Sequence, residues 1–295
     1  MNVLIIGCGD IGTAVGIKLA GDGINVTGVR RSAASLPTPI TLLTADVTQK
    51  DDAQKICQQH YDVALIILTP DQFTDDAYRQ SFVDSTENLL AAWQQANTAP
   101  KHVFFVSSTG VYAQNDGSWV DEDSPTEPQS FSGRRLWQAE QLINRAAIPS
   151  TIIRFGGIYG AGRSHLIDDV KAGIGAADEP IYTNRIHRDD CVGILVFLIH
   201  KALHKETLAT VYIGVDSLPA SAYTVKTWIA DQLNIPAAQR NLTIANTQRG
   251  GNKRCSNQRT GFAGWCSIGS HRTGRKRPCS PPSDTGLADL CGACS

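Results

Sequence analysis

Glycines 7, 9 and 12 follow directly on an apolar run of strand length, in the order Val3-Leu4-Ile5-Ile6-Gly7-Cys8-Gly9-Asp10-Ile11-Gly12. Glycines at this spacing permit a tight turn and let the main chain approach a pyrophosphate, while the helix that follows offers free N–H groups and the positive end of its dipole. A GxGxxG alone is weak. Set between a strand and a helix, with a second strand behind, it reads as a dinucleotide site. The helix is predicted over residues 13–20 and stops at Gly21-Asp22-Gly23. The second strand, 25–29, ends in Arg30-Arg31, with Ser32 beside them. A carboxylate at that place accepts from the ribose hydroxyls of NAD. A guanidinium suits a 2′-phosphate instead, because its planar fork pairs with phosphate oxygens. The pattern therefore points to NADP rather than NAD, held by Gly7, Gly9, Asp10, Ile11, Gly12, Arg30 and Arg31. The plainer readings are a ligand-free glycine turn and a solvated basic turn.

The elements that would position this turn alternate between strand and helix over the first 250 residues, the pattern of a parallel sheet with helices on both faces. Residues 41–45 read as a third strand ending at Asp46-Val47, and 52–60 as a helix. The run 63–68 is all apolar, as in a strand covered on both faces, and stops at Thr69-Pro70. A long helix is predicted over 75–97, with Phe82, Leu89, Leu90 and Trp93 at helical spacing and read as core. Residues 103–106 form the next strand, ahead of Ser107-Ser108-Thr109-Gly110-Val111-Tyr112. The acidic stretch 113–129 reads as a loop and 133–147 as a helix. Strands follow at 151–155 and 211–215, with helices at 191–200, capped by Asp189 or Asp190, and at 224–233.

The 295 residues suffice for one large domain with an appended lobe. A formal net charge of −1 argues against nucleic acid and anionic membrane surfaces as partners. The first strand begins at residue 2, no apolar run reaches the roughly 20 residues that span a bilayer, and a cytoplasmic protein is expected. Cys8, Cys57 and Cys191 read as small buried hydrophobes.

Taken in order, the motifs resemble the extended and atypical short-chain dehydrogenase/reductases, in particular the NAD(P)-dependent epimerase/dehydratase-like proteins. The landmarks are the glycine turn, Asp46-Val47, Thr86-Glu87-Asn88-Leu89-Leu90, Ser107 to Tyr112, 154–160 and Asn184-Arg185-Ile186-His187-Arg188-Asp189-Asp190. The resemblance implies an α/β fold: a Rossmann-type doubly wound parallel sheet with a small C-terminal substrate-binding lobe and a cleft at the strands' C-terminal ends. It implies that Asp46 accepts from the adenine amino group with Val47 packed nearby, and that Leu68, Thr69 and Pro70 lie along the cofactor. Ser108 falls at the catalytic Ser/Thr position, where a hydroxyl polarises a substrate carbonyl. The loop 156–163, with Tyr159, lines the substrate pocket, and Arg163 and Arg185 suit an anionic group such as a diphosphate. His187 reads as structural. A homodimer through paired helices near Leu89 and Leu142 follows by the same analogy.

One departure stands out. The family uses Tyr-x-x-x-Lys on the helix after the serine, the tyrosinate moving the proton while lysine lowers its pKa and holds a ribose. Here the helix begins Ser130-Phe131-Ser132-Gly133-Arg134-Arg135-Leu136. In the closest placement Phe131 stands at the tyrosine and cannot transfer a proton. Arg135 then stands at the lysine and keeps the ribose-holding role. One register on, Ser132 takes the tyrosine's place with Leu136 at the lysine, which is no better. Tyr112, Tyr159 and Ser132 are candidate substitutes for the acid.

Two functions compete on this pattern. One is an oxidoreductase or epimerase acting by hydride transfer on a hydroxyl or carbonyl of a small-molecule substrate, with nucleotide sugars among the candidates. The other is a non-catalytic NADP-binding sensor or scaffold. Residues 1–258 form the NAD(P)-binding domain, with its lobe drawn from 156–186 and 206–258. From Thr260 onward only Ile268, Leu287 and Leu290 remain of the branched aliphatics. The segment 259–295 reads as a frameshifted or disordered tail, and Cys291 and Cys294 make a CxxC without the second pair a zinc site needs.

Overall fold

A computed structural model describes residues 1–33, 36–244 and 250–262. Its contacts divide the chain into two compact units. The first takes Met1–Val111, Thr126–Arg154 and Val192–Tyr212; the second takes Tyr112–Pro125, Phe155–Cys191 and the described residues from Ile213 onward.

The first unit is built on β1 (Asn2–Ile6), β2 (Asn25–Arg30), β3 (Thr41–Thr44), β4 (Val63–Ile66) and β5 (His102–Ser108), in the spatial order β5-β4-β1-β2-β3. Each neighbouring pair among these five is parallel, with Val3 opposite both Val26 and Val63. The sheet continues past β5 with Ser150–Phe155 and then Val211–Gly214, making a parallel sheet of seven strands. The apolar runs have the reason expected of them: Val3, Leu4, Ile5 and Ile6 of β1 have no exposed surface, and Val63 to Ile66 have at most 1 %. Strand order reverses between β1 and β4, the place where doubly wound sheets open a crevice for ligands.

Helix α1 (Asp10–Gly21) starts on the glycine turn, and α2 (Lys50–Ile56) follows β3. The helix expected over 75–97 is helical throughout but not uniform. It comprises α3 (Asp75–Tyr78), a wide π-helical turn over Arg79–Asp84, and α4 (Ser85–Ala96). The Ser85 hydroxyl donates to the carbonyl of Gln80, five residues back and 3.0 Å away, adding a side-chain bond to the main-chain one that the widened turn makes to the same oxygen. Leu89 and Trp93 are fully buried. Helix α5 (Phe131–Arg145) is capped by the Ser130 hydroxyl, which accepts from Gly133 N at 3.1 Å.

The second unit is held by short pairings too brief to leave a sequence signature. Gly157–Tyr159 pairs with Arg185–His187, and Tyr182–Thr183 with Ala220–Ser221. Trp119–Val120, inside the stretch read as a loop, pairs with Arg254–Cys255. The helices His165–Lys171 and Ala222–Gln232 meet over Val170, Val225 and Ile229. The helix expected to follow an Asp189 or Asp190 cap starts earlier, at Arg188, so both aspartates sit within its first turn and face the positive end of its dipole. At the start of the segment read as a tail, Arg259 pairs with Asp123 at 2.6 Å and the Thr260 hydroxyl donates to Ile213 O at 2.5 Å. Residues 263–295 of that segment, with Cys266, Cys279, Cys291 and Cys294, lie outside the described residues. Among the described residues no helix is long and apolar enough to cross a membrane.

Candidate functional site

In the first unit, the C-terminal ends of β1 to β4 open on a cavity of about 530 Å³. The glycine turn forms its floor. Gly7 has φ +98°, and a Cβ there would stand 2.0 Å from Ile67 O, so only glycine fits. Gly7 N and Cys8 N donate to Val29 O at 3.1 and 2.8 Å, tying the turn to β2. A Cβ on Gly12 would lie 2.5 Å from Gly7 O, which explains the third glycine: the helix passes close over the turn. At Gly9 the opposite holds, with nothing within 4 Å of a Cβ. The turn thus presents open space beside main chain at the start of α1, the arrangement a pyrophosphate requires.

The cavity wall brings together Gly7, Gly9, Arg30, Arg31, Asp46, Val47, Leu68 and Thr69, all expected from the sequence. Asp46 is fixed in place: its N–H donates to Asp52 Oδ2 at 2.9 Å, and its Oδ1 accepts from the N–H and hydroxyl of Thr48 at 3.0 and 2.8 Å. That N–H and Lys55 hold the Asp52 carboxyl below the usual range. Asn88 on α4 donates to the carbonyls of Val47 and Thr48, giving this landmark a structural role. Arg31 forms a two-point pair with Asp71, which also lines the cavity. Asp71, Ser81 and Ser85 were not identified from sequence. The signal for Asp71 was its place just past Thr69-Pro70 at the exit of β4; Ser81 and Ser85 carry none. Asp10, Ile11, Gly12 and Pro70 support the turn and strand ends without lining the cavity.

Ser108 ends β5, half-buried, with its Oγ accepting from Gly110 N at 3.1 Å. Its neighbour Ser107 points to the opposite face. There it donates to Glu140 at 2.6 Å, and Arg154 grips the same carboxylate through Nε at 3.1 Å and Nη2 at 2.6 Å. Phe131 lies in an aromatic cluster, with ring centroids 4.9 Å from Phe73 and 5.6 Å from Tyr78. Arg135 makes a two-point pair with Asp75 of α3, at 2.9 and 2.7 Å, and is not on the cavity wall.

In the second unit, Tyr159 and Arg185 gather around Asp216, which sequence reading missed. Burial pushes the Asp216 carboxyl up to about 7, against the hydrogen bond from Tyr159 and the charge of Arg185. Burial likewise lowers Arg185, opposed by Asp216 and Tyr159. His187 accepts from Asp189 N through Nδ1 at 3.2 Å, and its ring stands edge-on to Tyr159. Arg163 is exposed and lines a separate hollow with Ser164, His165 and Asp168.

A family model described as NAD(P)H-binding matches residues 7–201. A protein from Methylobacillus flagellatus, provisionally assigned as an NAD-dependent epimerase/dehydratase, is 36 % identical. The match covers 91 % of this chain and 93 % of that one, with a TM-score of 0.74. UDP-glucuronic acid 4-epimerase from Bacillus cereus, solved in complex with NAD, shares the fold at 18 % identity and a TM-score of 0.72 over 89 % and 90 % of the two chains. N-acetyl-alpha-D-glucosaminyl-diphospho-ditrans,octacis-undecaprenol 4-epimerase of Escherichia coli O157:H7 is 30 % identical over 171 residues, which is 54 % of this chain and 49 % of that protein. The chain therefore spans about half the length of that curated relative. From the glycine turn, the strand order and these matches together, the chain belongs to the NAD(P)H-binding family, as an NAD(P)-dependent epimerase/dehydratase-like short-chain dehydrogenase/reductase.

Proposed function

We propose that this protein is an NADP-dependent oxidoreductase or epimerase acting on a secondary hydroxyl or carbonyl of a sugar carried on a diphosphate. The observation that carries the reading is the presence of Arg30, Arg31 and Ser32 on the same cavity wall as the glycine turn. Main chain at the start of α1, beside the open space over Gly9, holds the pyrophosphate, and the two arginines hold a 2′-phosphate. Asp46 and Val47 take the adenine, and Leu68, Thr69 and Pro70 the ribose side. The nicotinamide, when bound, supplies the hydride acceptor and donor. Ser108 is assigned the substrate oxygen; in the second unit, Tyr159 and Arg185 are assigned to the substrate and Arg163, in its separate hollow, to an anionic group. The sugar diphosphate class is supported by the names of the Bacillus and Escherichia relatives, each a 4-epimerase of a sugar on a diphosphate. The substrate's hydroxyl proton goes to a group other than residue 131, with Tyr112, Tyr159 and Ser132 as candidates. The protein works as a cytoplasmic homodimer.

The test pairs NADPH binding by titration with NADPH consumption, and with epimerisation, across a panel of carbonyls and sugar diphosphates. Binding tighter for NADPH than NADH, with turnover of one panel member, is the expected outcome. Tight binding with no turnover on any member supports the second reading, a non-catalytic NADP-binding sensor or scaffold. That reading is favoured by Phe131, packed where the family's tyrosine stands, and by Arg135, which is engaged by Asp75.

A further inference from the structure

Arg31 and Asp71 come from the ends of different strands, 40 residues apart, and meet through both guanidinium Nη atoms and both carboxylate oxygens. Their side chains are 52 % and 65 % exposed. A pair so exposed adds only about 0–1 kcal/mol to stability. Fold stability therefore gives little reason for a two-point geometry at this place. Its location gives a better one, since both residues line the cavity that holds the glycine turn. The pair also holds the Asp71 carboxyl below the usual range and Arg31 above its own, so both are charged at neutral pH.

We infer that Asp71 is a specificity-determining residue, which sets the choice between NADP and NAD by competing for Arg31. This rests on the reading of the cavity as a dinucleotide site with Arg31 toward the 2′-position. A guanidinium fork engages one planar or tetrahedral anion at a time in its two-point mode. A 2′-phosphate must therefore displace Asp71 before it gains the full pair with Arg31, and that exchange lowers affinity for NADP. NAD carries no such phosphate and leaves the pair intact. The Asp71 carboxylate then stands where it can accept from ribose hydroxyls, the task usually given to an acid at the end of β2. The other carboxylate on the cavity wall, Asp46, already accepts from Thr48 through Oδ1. One residue therefore acts in both directions: it weakens NADP and supports NAD.

The experiment is calorimetric titration of the intact protein with NADPH, NADH and 2′,5′-ADP, comparing wild type with Asp71→Asn, Arg31→Ala and the double variant. Asp71→Asn is expected to tighten NADPH and 2′,5′-ADP about tenfold and to weaken NADH, moving the NADPH-to-NADH affinity ratio toward NADPH by more than tenfold. In the Arg31→Ala background the same substitution should leave 2′,5′-ADP unchanged, because the competition is gone. An unmoved ratio, or an equal gain with and without Arg31, overturns the inference. Thermal midpoints within about 2 °C of wild type establish that the variants fold. Failure of the underlying NADP reading shows separately, as wild type binding NADH more tightly than NADPH with no loss on Arg30→Ala. Even then the ratio must move toward NADPH in Asp71→Asn, or the role of Asp71 is refuted.

Discussion

The hydroxyl of Ser107 donates a 2.6 Å hydrogen bond to the fully buried carboxylate of Glu140. The same carboxylate takes Arg154, and the two ionic side chains are 0 % and 7 % exposed. Removing one partner of such a pair leaves a buried charge uncompensated, at a cost of about 3–5 kcal/mol. Glu140→Ala is expected to lose that much in urea unfolding at unchanged m-value. Glu140→Leu combined with Arg154→Met should recover most of it. A double variant as unstable as the single one would contradict the account. Because Ser107 is pinned to one face of β5, Ser108 is presented on the other.

The glycine turn separates folding from binding at two neighbouring positions. Gly7→Ala forces a side chain to positive φ and 2.0 Å from a carbonyl oxygen, and should cost more than about 3 kcal/mol or prevent soluble expression. Gly9→Ala meets nothing within 4 Å and should melt within a few degrees of wild type. It should nonetheless weaken NADPH and NADH alike by tenfold or more, since the methyl occupies the space beside the main-chain donors. Equal thermal behaviour of the two variants would refute this division.

On the proposed NADP reading, Arg30 meets a 2′-phosphate with less interference than Arg31, since among the described residues no carboxylate pairs with Arg30 as Asp71 does with Arg31. Arg30→Ala is expected to weaken NADPH by tenfold or more and NADH by less than threefold. Equal losses for the two dinucleotides would remove the ground for NADP.

Asp216 makes stability depend on pH. Its carboxyl titrates at about 7 when folded, against an ordinary 3.8, with Tyr159, Arg185, Asp190 and the His187 main chain around it. The folded chain therefore binds this proton more tightly than the unfolded chain over that interval. The resulting stability is complete below about pH 4 and is lost as pH rises through 7. It amounts to about 4 kcal/mol at most. The difference in thermal midpoint between wild type and Asp216→Asn should fall steadily from pH 4 to 7.5. A flat difference would mean that the carboxyl is not held protonated.

Much of the fold was legible because its signals are local. Apolar runs with no exposed residue, such as Val3 to Ile6, announce strands covered on both faces, and a glycine at positive φ announces the turn behind them. Cys8, Cys57 and Cys191, read as small hydrophobes, are fully buried, and burial pushes the Cys57 thiol up to about 12. What was not legible is pairwise and distant. Nothing near Arg31 names Asp71, and nothing near Arg135 names Asp75, 60 residues earlier. The two- and three-residue strands of the second unit are shorter than any period that could reveal them. The wide turn at Arg79–Asp84, where a serine hydroxyl reaches back to Gln80, is a local change of winding that helical spacing does not encode.

The Gly7 turn is written in main chain, and Phe131 is a side chain 124 positions downstream. That separation has an evolutionary consequence. A lineage can exchange its tyrosine for phenylalanine, bed the new ring among Phe73 and Tyr78, and leave every atom of the glycine cradle where it was. Chemistry can be lost, moved to another group or reinvented there while the cradle is inherited intact, which makes such a chain raw material for new reactions.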